Sequence, residues 1–498
     1  MIRPHRRARG ENAMPMSFGA SLREIIEKGG YSVRSISTYL KVDRSTLYQY
    51  FGDKRVPPAD FLVRLSAFLR LTHTEEQELF RAYRRLCEGK WAPVFDAIDR
   101  HLALLKRLDT PARALEMQPS MRKQDYSRAE GAYLVEDLLW QALSSGRAVD
   151  VCLFFPLNDT PIGRRISSWL SMTRRLQRSQ PVRVTHLSPC PRYDEEDGAP
   201  CEALLRFLES TLELMMASSG PLDYTQTYYY TGSDLSDFPG LIFPYYLLLE
   251  DKVLLLSRDG ERAYLMQDEA LAGAYRQEFL LAAQHAHPFR FCQSDPSNLL
   301  AYYDQTVLEP VKPRLNLHSQ PFLTLVLTSD IVARYIARDN PCREQLVQLC
   351  NTYYVDHLTV QSDDLFFFTR TGLEEFVREG YVCGFSAQLA SALEVPDRLA
   401  LMERYLALVE AHPQRFFLIR EEYMAVPASI SVYVDGSQLL LTDHVFRNGY
   451  QYLSVTDPSL VTAYHRYLSS LPRSEKVYPW PECRQALLNA IATLKTMA

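Results

Sequence analysis

Residues 33–57 read VRSISTYLKVDRSTLYQYFGDKRVP, and this stretch decides the fold of the N-terminal part of the chain. Apolar side chains recur there at helical spacing, first at Val33, Ile36 and Leu40. Lys41 and Val42 then form a turn, and we expect the carboxylate of Asp43 to cap the helix that follows. The spacing therefore predicts two short helices joined by a tight turn.

The helix after Asp43 is predicted to have one buried and one exposed face. Leu47 and Tyr50, three positions apart, would point inward. Four other side chains would point outward: Arg44, Ser45, Tyr48 and Gln49. A helix that enters the major groove of DNA presents the side chains of its N-terminal end in this way.

Further helices on both sides are predicted to close a small core. The helix before the stretch starts at Phe18 and ends at Gly29-Gly30, and Ser32 caps the next one. A fourth helix starts at Pro58, a residue type that the first turn of a helix tolerates. It contributes five apolar side chains, which are Phe61, Leu62, Leu65, Phe68 and Leu69.

The string from Leu40 to Tyr50, followed by Lys54-Arg55-Val56-Pro57, resembles the lambda-repressor-like (XRE-type) helix-turn-helix family over roughly residues 17–72. The resemblance implies contacts to base edges from Arg44, Ser45, Tyr48 and Gln49. It implies phosphate contacts from Thr46, Lys54 and Arg55. Arg can form two hydrogen bonds with a guanine, and Gln can do so with an adenine. Phe51 departs from the family pattern, which commonly has a polar residue there, and leaves the end of the helix open.

The positive charge of the chain is concentrated in the same part. Residues 1–108 contain 20 Lys and Arg against 12 Asp and Glu, a formal charge of +8, whereas the whole chain carries −5. Phosphate binding requires such a concentration of cations. The charge therefore favours double-stranded DNA as the partner over the alternative of a small helical module that binds proteins.

Composition limits the remaining possibilities. The nine cysteines include no CxxC pair, which indicates reduced thiols rather than a zinc site or a disulfide framework. The chain has no run of about 18 apolar residues that would span a membrane. Residues 1–16 are basic but lack the apolar segment of a secretory signal. We therefore expect a cytoplasmic protein with a disordered basic tail at 1–16 and with no metal or cofactor.

A helical connector is predicted over residues 73–146. Thr74-Glu75-Glu76-Gln77 has the form of a capping box and would open a helix that runs to about Glu88. Another helix follows Pro93, and a third spans about residues 127–144. The periodicity fades around residues 108–124, where we expect a linker.

The rest of the chain contains an internal repeat. The pattern D-x-x-L-x-x-A-Y begins at Asp268 and again at Asp457, 189 residues later. A β-hairpin is predicted before each copy, with turns at Glu250-Asp251 and Asp435-Gly436. Each half also opens with an apolar strand, at residues 149–155 and 322–327.

Helices alternate with strands in both halves, which is typical of α/β units. The sequence thus predicts an α+β multidomain fold. An all-α helix-turn-helix domain at residues 17–72 is followed, after the connector, by a duplicated α/β body with a mixed sheet. Its two repeats would span residues 147–300 and 301–498.

A twofold repeat of this kind is similar to phospholipase D-like domains, over roughly residues 147–475. In that family a His-x-Lys pair from each half carries the chemistry. Tyr245-Tyr246 and Pro427-Ala428 stand near the corresponding positions, and no His in the chain is followed two positions later by Lys. The resemblance therefore implies a body without catalytic residues, whose cleft serves for sensing. Asp363-Asp364, before an apolar strand, are interpreted as part of a solvated loop rather than as an acid–base pair.

The sequence predicts a transcription regulator rather than an enzyme. Its N-terminal domain would bind a specific DNA site as a homodimer, because one recognition helix contacts few base pairs. Its body would sense a small-molecule or protein effector. Two alternatives stay open: a DNA-targeted hydrolase, such as a defence-associated nuclease with a phospholipase D-like body, and a protein-interaction scaffold.

Overall fold

The structure is a computed structural model that describes residues 17–108, 130–145, 148–155, 182–191, 222–231, 243–257, 262–284, 286–294, 314–338, 343–357, 360, 363–383, 390–428, 430–443 and 450–498. The chain divides into two compact units. The first comprises Met1–Phe95 with Arg473–Glu475, and the second comprises Asp96–Pro472 with Lys476–Ala498. The tail at 1–16 and most of the linker at 108–124 lie outside the described residues.

The first unit is helical. Its helices are α1 (Phe18–Lys28), α2 (Val33–Leu40), α3 (Arg44–Phe51), α4 (Ala59–Leu69) and α5 (His73–Glu88). Their apolar faces form one core, in which the side chains of Leu22, Ile36, Leu47, Leu62 and Leu65 are fully buried. The predicted pair of short helices with a tight turn is therefore present at α2 and α3.

Local hydrogen bonds explain where these helices begin. The Ser32 hydroxyl accepts the Ser35 N–H at 3.1 Å and caps α2 as predicted. The capping box of α5 is formed by Thr72 and Glu75, two residues earlier than the sequence pattern suggested, because the Glu75 carboxylate reaches back to the Thr72 N–H at 2.9 Å. Asp43 occupies the N-cap position of α3, but its carboxylate makes no capping bond, so that part of the prediction is wrong. Arg44 and Ser45 at the start of α3 are exposed, so solvent can bind the backbone N–H groups that the Asp43 carboxylate does not cap.

The second unit begins within α6 (Ala92–Leu108), which is followed by α7 (Glu130–Ser144). The apolar side of α6 is buried, at Phe95, Ile98, Leu102 and Leu105. The unit contains thirteen strands within the described residues. They are β1 (Val149–Phe154), β2 (Val182–Pro191), β3 (Leu222–Thr231), β4 (Tyr245–Leu249), β5 (Lys252–Leu256), β6 (Ala263–Gln267), β7 (His287–Ser294), β8 (Leu315–Leu317), β9 (Leu365–Thr369), β10 (Phe416–Ile419), β11 (Ile430–Val434), β12 (Leu439–Asp443) and β13 (Tyr450–Val455).

In the described part of the chain, seven α-helices accompany the strands after β6. They are α8 (Glu269–Gln284), α9 (Ser329–Tyr335), α10 (Arg343–Cys350), α11 (Arg370–Glu379), α12 (Val395–Ala411), α13 (Pro458–Ser470) and α14 (Trp480–Met497). α8 and α13 begin one residue after Asp268 and Asp457, the two aspartates of the repeated pattern. Each aspartate accepts the N–H three residues on, at 3.0 Å for Leu271 and 2.9 Å for Leu460. The repeated pattern is therefore a helix N-cap used twice.

The sheet confirms the duplication. The strand order is β10-β9-β8-β11-β12-β13-β7-β3-β2-β1-β4-β5-β6. In the first half β1, β2 and β3 are parallel and β4, β5 and β6 add to β1 in antiparallel fashion. In the second half β8, β9 and β10 are parallel and β11, β12 and β13 add to β8 in the same way. β7 pairs with β3 on one side and β13 on the other, so the fold is α+β with a duplicated mixed-sheet body.

Two further details of the sequence analysis are wrong. The opening strand of the second repeat is β8, whereas residues 323–326 form a 3-10 turn. A short apolar run has no periodicity that separates a strand from a buried helical turn. Asp364 is fully buried rather than solvated, because its carboxylate accepts the Arg314 N–H at 2.7 Å and pairs with the Arg314 guanidinium at 3.2 Å.

A group of buried polar contacts joins α6 to α13. His101 Nδ1 contacts the Tyr464 hydroxyl, and the Tyr467 hydroxyl donates to Asp99. The ammonium of Lys476, only 3% exposed, lies 2.5 and 2.6 Å from the two Asp99 carboxylate oxygens. These partners satisfy a charge that would be costly to bury alone. Within the described ranges, the structure contains no helix long and apolar enough to cross a bilayer.

Candidate nucleic-acid interface

Helix α3 has two chemically different faces. Leu47, Tyr50 and Phe51 are buried against the rest of the first unit, with 0%, 3% and 8% of their surfaces exposed. Arg44, Ser45, Tyr48 and Gln49 are exposed, as the sequence predicted. The helix is therefore anchored by one side and leaves the other side open to a partner.

The connection between α2 and α3 is tightly held. Lys41 ends α2 in the left-handed backbone region, at φ 55° and ψ 43°, which turns the chain within one residue. The Val42 N–H donates to the Ser37 carbonyl at 3.1 Å, and the Ser37 hydroxyl donates to the Val42 carbonyl at 2.7 Å. This pair of bonds fixes the direction in which α3 leaves the turn.

The cations around α3 are available to a partner. Arg44, Lys54 and Arg55 are exposed, and among the described residues no carboxylate lies within ion-pair distance of them. Two carboxylates elsewhere in the unit are paired with other cations, Glu24 with Lys28 at 2.6 Å and Asp60 with Arg64 at 2.8 Å. Thr46, the remaining predicted contact residue, is half-buried.

Two exposed aromatic rings add contact area on this unit. Tyr48 is 60% exposed on the outward face of α3, and its ring meets the edge of Phe51 with centroids 5.9 Å apart. Tyr39 on α2 is 55% exposed and stacks on Phe68 at 4.2 Å. Rings held in this way present a rigid amphipathic surface at little cost in side-chain entropy.

Phe51 is a core residue, and the structure resolves where α3 ends. It is the last residue of the helix, and the Arg23 guanidinium lies 5.6 Å from its ring centroid. Leu47 and Phe51 are four positions apart, so helical periodicity alone could have placed both on one face. Gly19 of α1 contacts the same end of α3, and its N–H donates to the Asp53 carboxylate at 2.7 Å.

In the second unit, the positions at which the phospholipase D resemblance would place its catalytic pairs hold no such groups. Tyr245 and Tyr246 are buried in β4, and Pro427 is buried just before β11. The second half of the body contains a different polar cluster, around His318. His318 Nδ1 is 3.0 Å from the Ser431 hydroxyl and 3.5 Å from the Cys383 thiol.

The His318 cluster was missed by sequence analysis because its members come from three distant segments. His318 follows β8, Ser431 lies in β11 and Cys383 follows α11. No motif joins them. None of these three residues is a lysine or an arginine, so the cluster itself does not contain the cation that the phospholipase D chemistry requires.

Comparison with known proteins adds little to this picture. No protein-family model matches the chain, and no curated protein matches it. Among solved structures, the chain is similar to the crystal structure of polyphosphate kinase from Porphyromonas gingivalis, with 12% sequence identity and a TM-score of 0.20. The match covers 73% of this chain and 54% of that one, so this chain spans about half the length of the kinase. A likeness at this TM-score supports no inference about activity.

Proposed function

We propose that the protein is a sequence-specific DNA-binding transcription regulator. The proposal rests on the contrast between the two sides of α3. The apolar side chains on one side are at most 8% exposed, whereas the other side is exposed and carries Arg44, Ser45, Tyr48 and Gln49. A short helix held from behind, with its first turn exposed, suits insertion into a major groove. A protein-interaction scaffold would not need three unpaired cations around that helix.

The outward side chains divide by chemistry into two groups. Arg44 and Gln49 carry forked donors and acceptors that match the edges of guanine and adenine. Lys54 and Arg55 follow the helix and suit phosphate oxygens, which position a protein on DNA without reading its sequence. Ser45 and Tyr48 are also exposed, and they lie between Arg44 and Gln49 in the sequence.

One such helix reads few base pairs, so the proposal includes a homodimer on two half-sites about 34 Å apart or a multiple of this. The body would bind a small-molecule or protein effector and thereby change operator affinity. The sequence of the body contains no His-x-Lys pair. We therefore favour a regulatory role over a hydrolytic one.

The test starts with the full chain and a pool of random duplexes from which bound sequences are selected and amplified. An enriched duplex is then used in fluorescence anisotropy. Each base-edge contact contributes about 1–3 kcal/mol of discrimination, so Arg44→Ala with Gln49→Ala should weaken binding to the enriched duplex by about 30-fold or more. Binding to random duplex should change much less.

The second variant, Lys54→Ala with Arg55→Ala, should weaken binding to all duplexes alike. Each phosphate contact contributes about 0.9 to the slope of log affinity against log salt, so this slope should fall by about 2. Arg81→Ala, which removes an exposed cation of α5, is the matched control and should leave the slope nearly unchanged. Failure to enrich any sequence, or unchanged binding by the Arg44 and Gln49 variant, would contradict the proposal.

A further inference from the structure

Strand β6 forms one edge of the thirteen-strand order, and the two edges of that order differ. β10, at the other edge, is covered by its own chain: the Arg420 N–H donates to the Lys476 carbonyl at 2.7 Å, and the Tyr478 N–H donates to the Leu418 carbonyl at 2.8 Å. β6 pairs with β5 on one side, and among the described strands none pairs with its other side. Unpaired edges invite another strand.

The hydrogen bonds to the neighbouring strand show which backbone groups of β6 face outward. The Ser257 N–H donates to the Arg262 carbonyl, and the Asp268 N–H donates to the Asp251 carbonyl, both at 2.9 Å. Residues that face a neighbouring antiparallel strand alternate with residues that face away from it. Ala263, Leu265 and Gln267 therefore direct their N–H and C=O groups away from β5.

The side chains of this edge are unusually apolar for an exposed strand. Tyr264 is 65% exposed and Leu265 is 44% exposed. None of the five residues of β6 is charged or a proline, although natural edge strands commonly carry such residues to block further pairing. The charged residues stand instead at its two ends, Arg262 before the strand and Asp268 after it, and both are exposed.

These ends make the strand complementary to itself. If two copies pair antiparallel about Leu265, each Ala263 meets a Gln267 and each Tyr264 meets a Met266. Each Arg262 then stands directly opposite an Asp268 of the other copy, on the same face and in a pair without backbone bonds, where side chains approach most closely. A register centred on Ala263 or on Gln267 would lose both opposite-charge pairs.

We propose that β6 is the interface through which two copies of this chain associate, edge to edge across a two-fold axis. The three outward residues of each copy would supply six backbone hydrogen bonds, and the two Arg262–Asp268 pairs would select the register. Such an isologous contact closes on itself and yields a dimer rather than a fibre. The proposal does not rest on DNA binding, although it would bring together the two DNA-binding units that such binding calls for.

The test measures the molar mass of the full chain, without DNA, by sedimentation equilibrium. Arg262→Asp and Asp268→Arg should each weaken the dimer by about tenfold or more, because two opposite-charge pairs become like-charge pairs. An equimolar mixture of these two variants should dimerise again, since every mixed pair has opposite charges at both ends. This recovery excludes misfolding as the cause, including the loss of the α8 cap that Asp268 provides.

A further variant tests the backbone bonds. Leu265→Pro removes an outward N–H but no bond to β5, and edge strands tolerate proline, so it should be folded and monomeric. Leu281→Ser, which changes another exposed leucine on α8, should remain dimeric. A monomeric wild type, or a dimer that withstands Leu265→Pro and both charge reversals, would overturn the proposal. Such a result would leave open whether a single copy of the first unit binds DNA, which is measured separately.

Discussion

Replacing Gly19 by alanine should loosen the attachment of α3, because this glycine lets α1 approach the end of that helix closely. A Cβ at position 19 would lie 2.3 Å from the Phe51 carbonyl oxygen, 2.6 Å from its carbon and 2.8 Å from the Tyr50 carbonyl oxygen. All three are backbone atoms and cannot rotate away. Ordinary contact begins at 3.4 Å, so α1 and α3 must separate by about 1 Å.

The magnitude follows from two opposing effects. Overpacking of this kind costs about 1–3 kcal/mol, while alanine stabilises a helix interior over glycine by about 0.5–1 kcal/mol. The difference between the mid-range values is a net destabilisation of the first unit of about 1.3 kcal/mol. Separation of the helices would also weaken the bond between the Gly19 N–H and the Asp53 carboxylate.

Hydrogen exchange measured by mass spectrometry can detect this effect locally. Backbone amides of α1 and α3 should exchange about tenfold faster in Gly19→Ala, since 1.4 kcal/mol corresponds to a factor of ten. Gly273→Ala is the matched control, because a Cβ there has no neighbouring atom within 4 Å and should slow exchange in α8. Unchanged or slower exchange in α1 and α3 of Gly19→Ala would refute the argument that this contact holds α3 in place.

Two further predictions concern the second unit. Burial lowers the pKa of His101 to about 3 and that of His186 to about 4, from an ordinary 6.5, so the folded state keeps both side chains neutral. As the pH drops from 6.5 towards 4, the free energy of unfolding should therefore fall by about 1.4 kcal/mol per pH unit for each histidine. Urea denaturation followed by circular dichroism would measure this fall, and His101→Asn should remove one of the two contributions. Burial also raises the pKa of Cys350 and of Cys483 to about 12. Partial burial raises the pKa of Cys87 too, but Cys87 is exposed, so at pH 8 iodoacetamide should modify it before either of them. Peptide mass spectrometry would show the order, and equal rates would contradict the burial of Cys350 and Cys483.

Local patterns in the sequence predicted most of the helical unit. The boundaries of α2 and α3 follow from a cap residue at Ser32, apolar spacing and the basic turn, and all of these signals are short-range. The duplicated body was also found, because Asp268 and Asp457 repeat an N-cap whose function depends only on residues three positions away. Such local signals survive without knowledge of the tertiary structure.

Features that depend on distant residues could not be predicted in this way. The burial of Asp364 depends on Arg314, fifty residues earlier, and a pair of adjacent aspartates otherwise resembles a solvated loop. Strand β8 has only three residues and was overlooked beside the more apolar run that follows it. The His318, Ser431 and Cys383 cluster has no sequence signature, since pairing between β8 and β11 is what brings it together.

The most direct test of the central claim, that the open face of α3 contacts DNA, is site-specific photocrosslinking. A benzophenone side chain introduced at Ser45, in the full chain bound to a selected duplex, should yield a covalent protein–DNA product. The same group at Arg81, on α5, should yield little. Crosslinking from position 81 with none from position 45 would contradict the account.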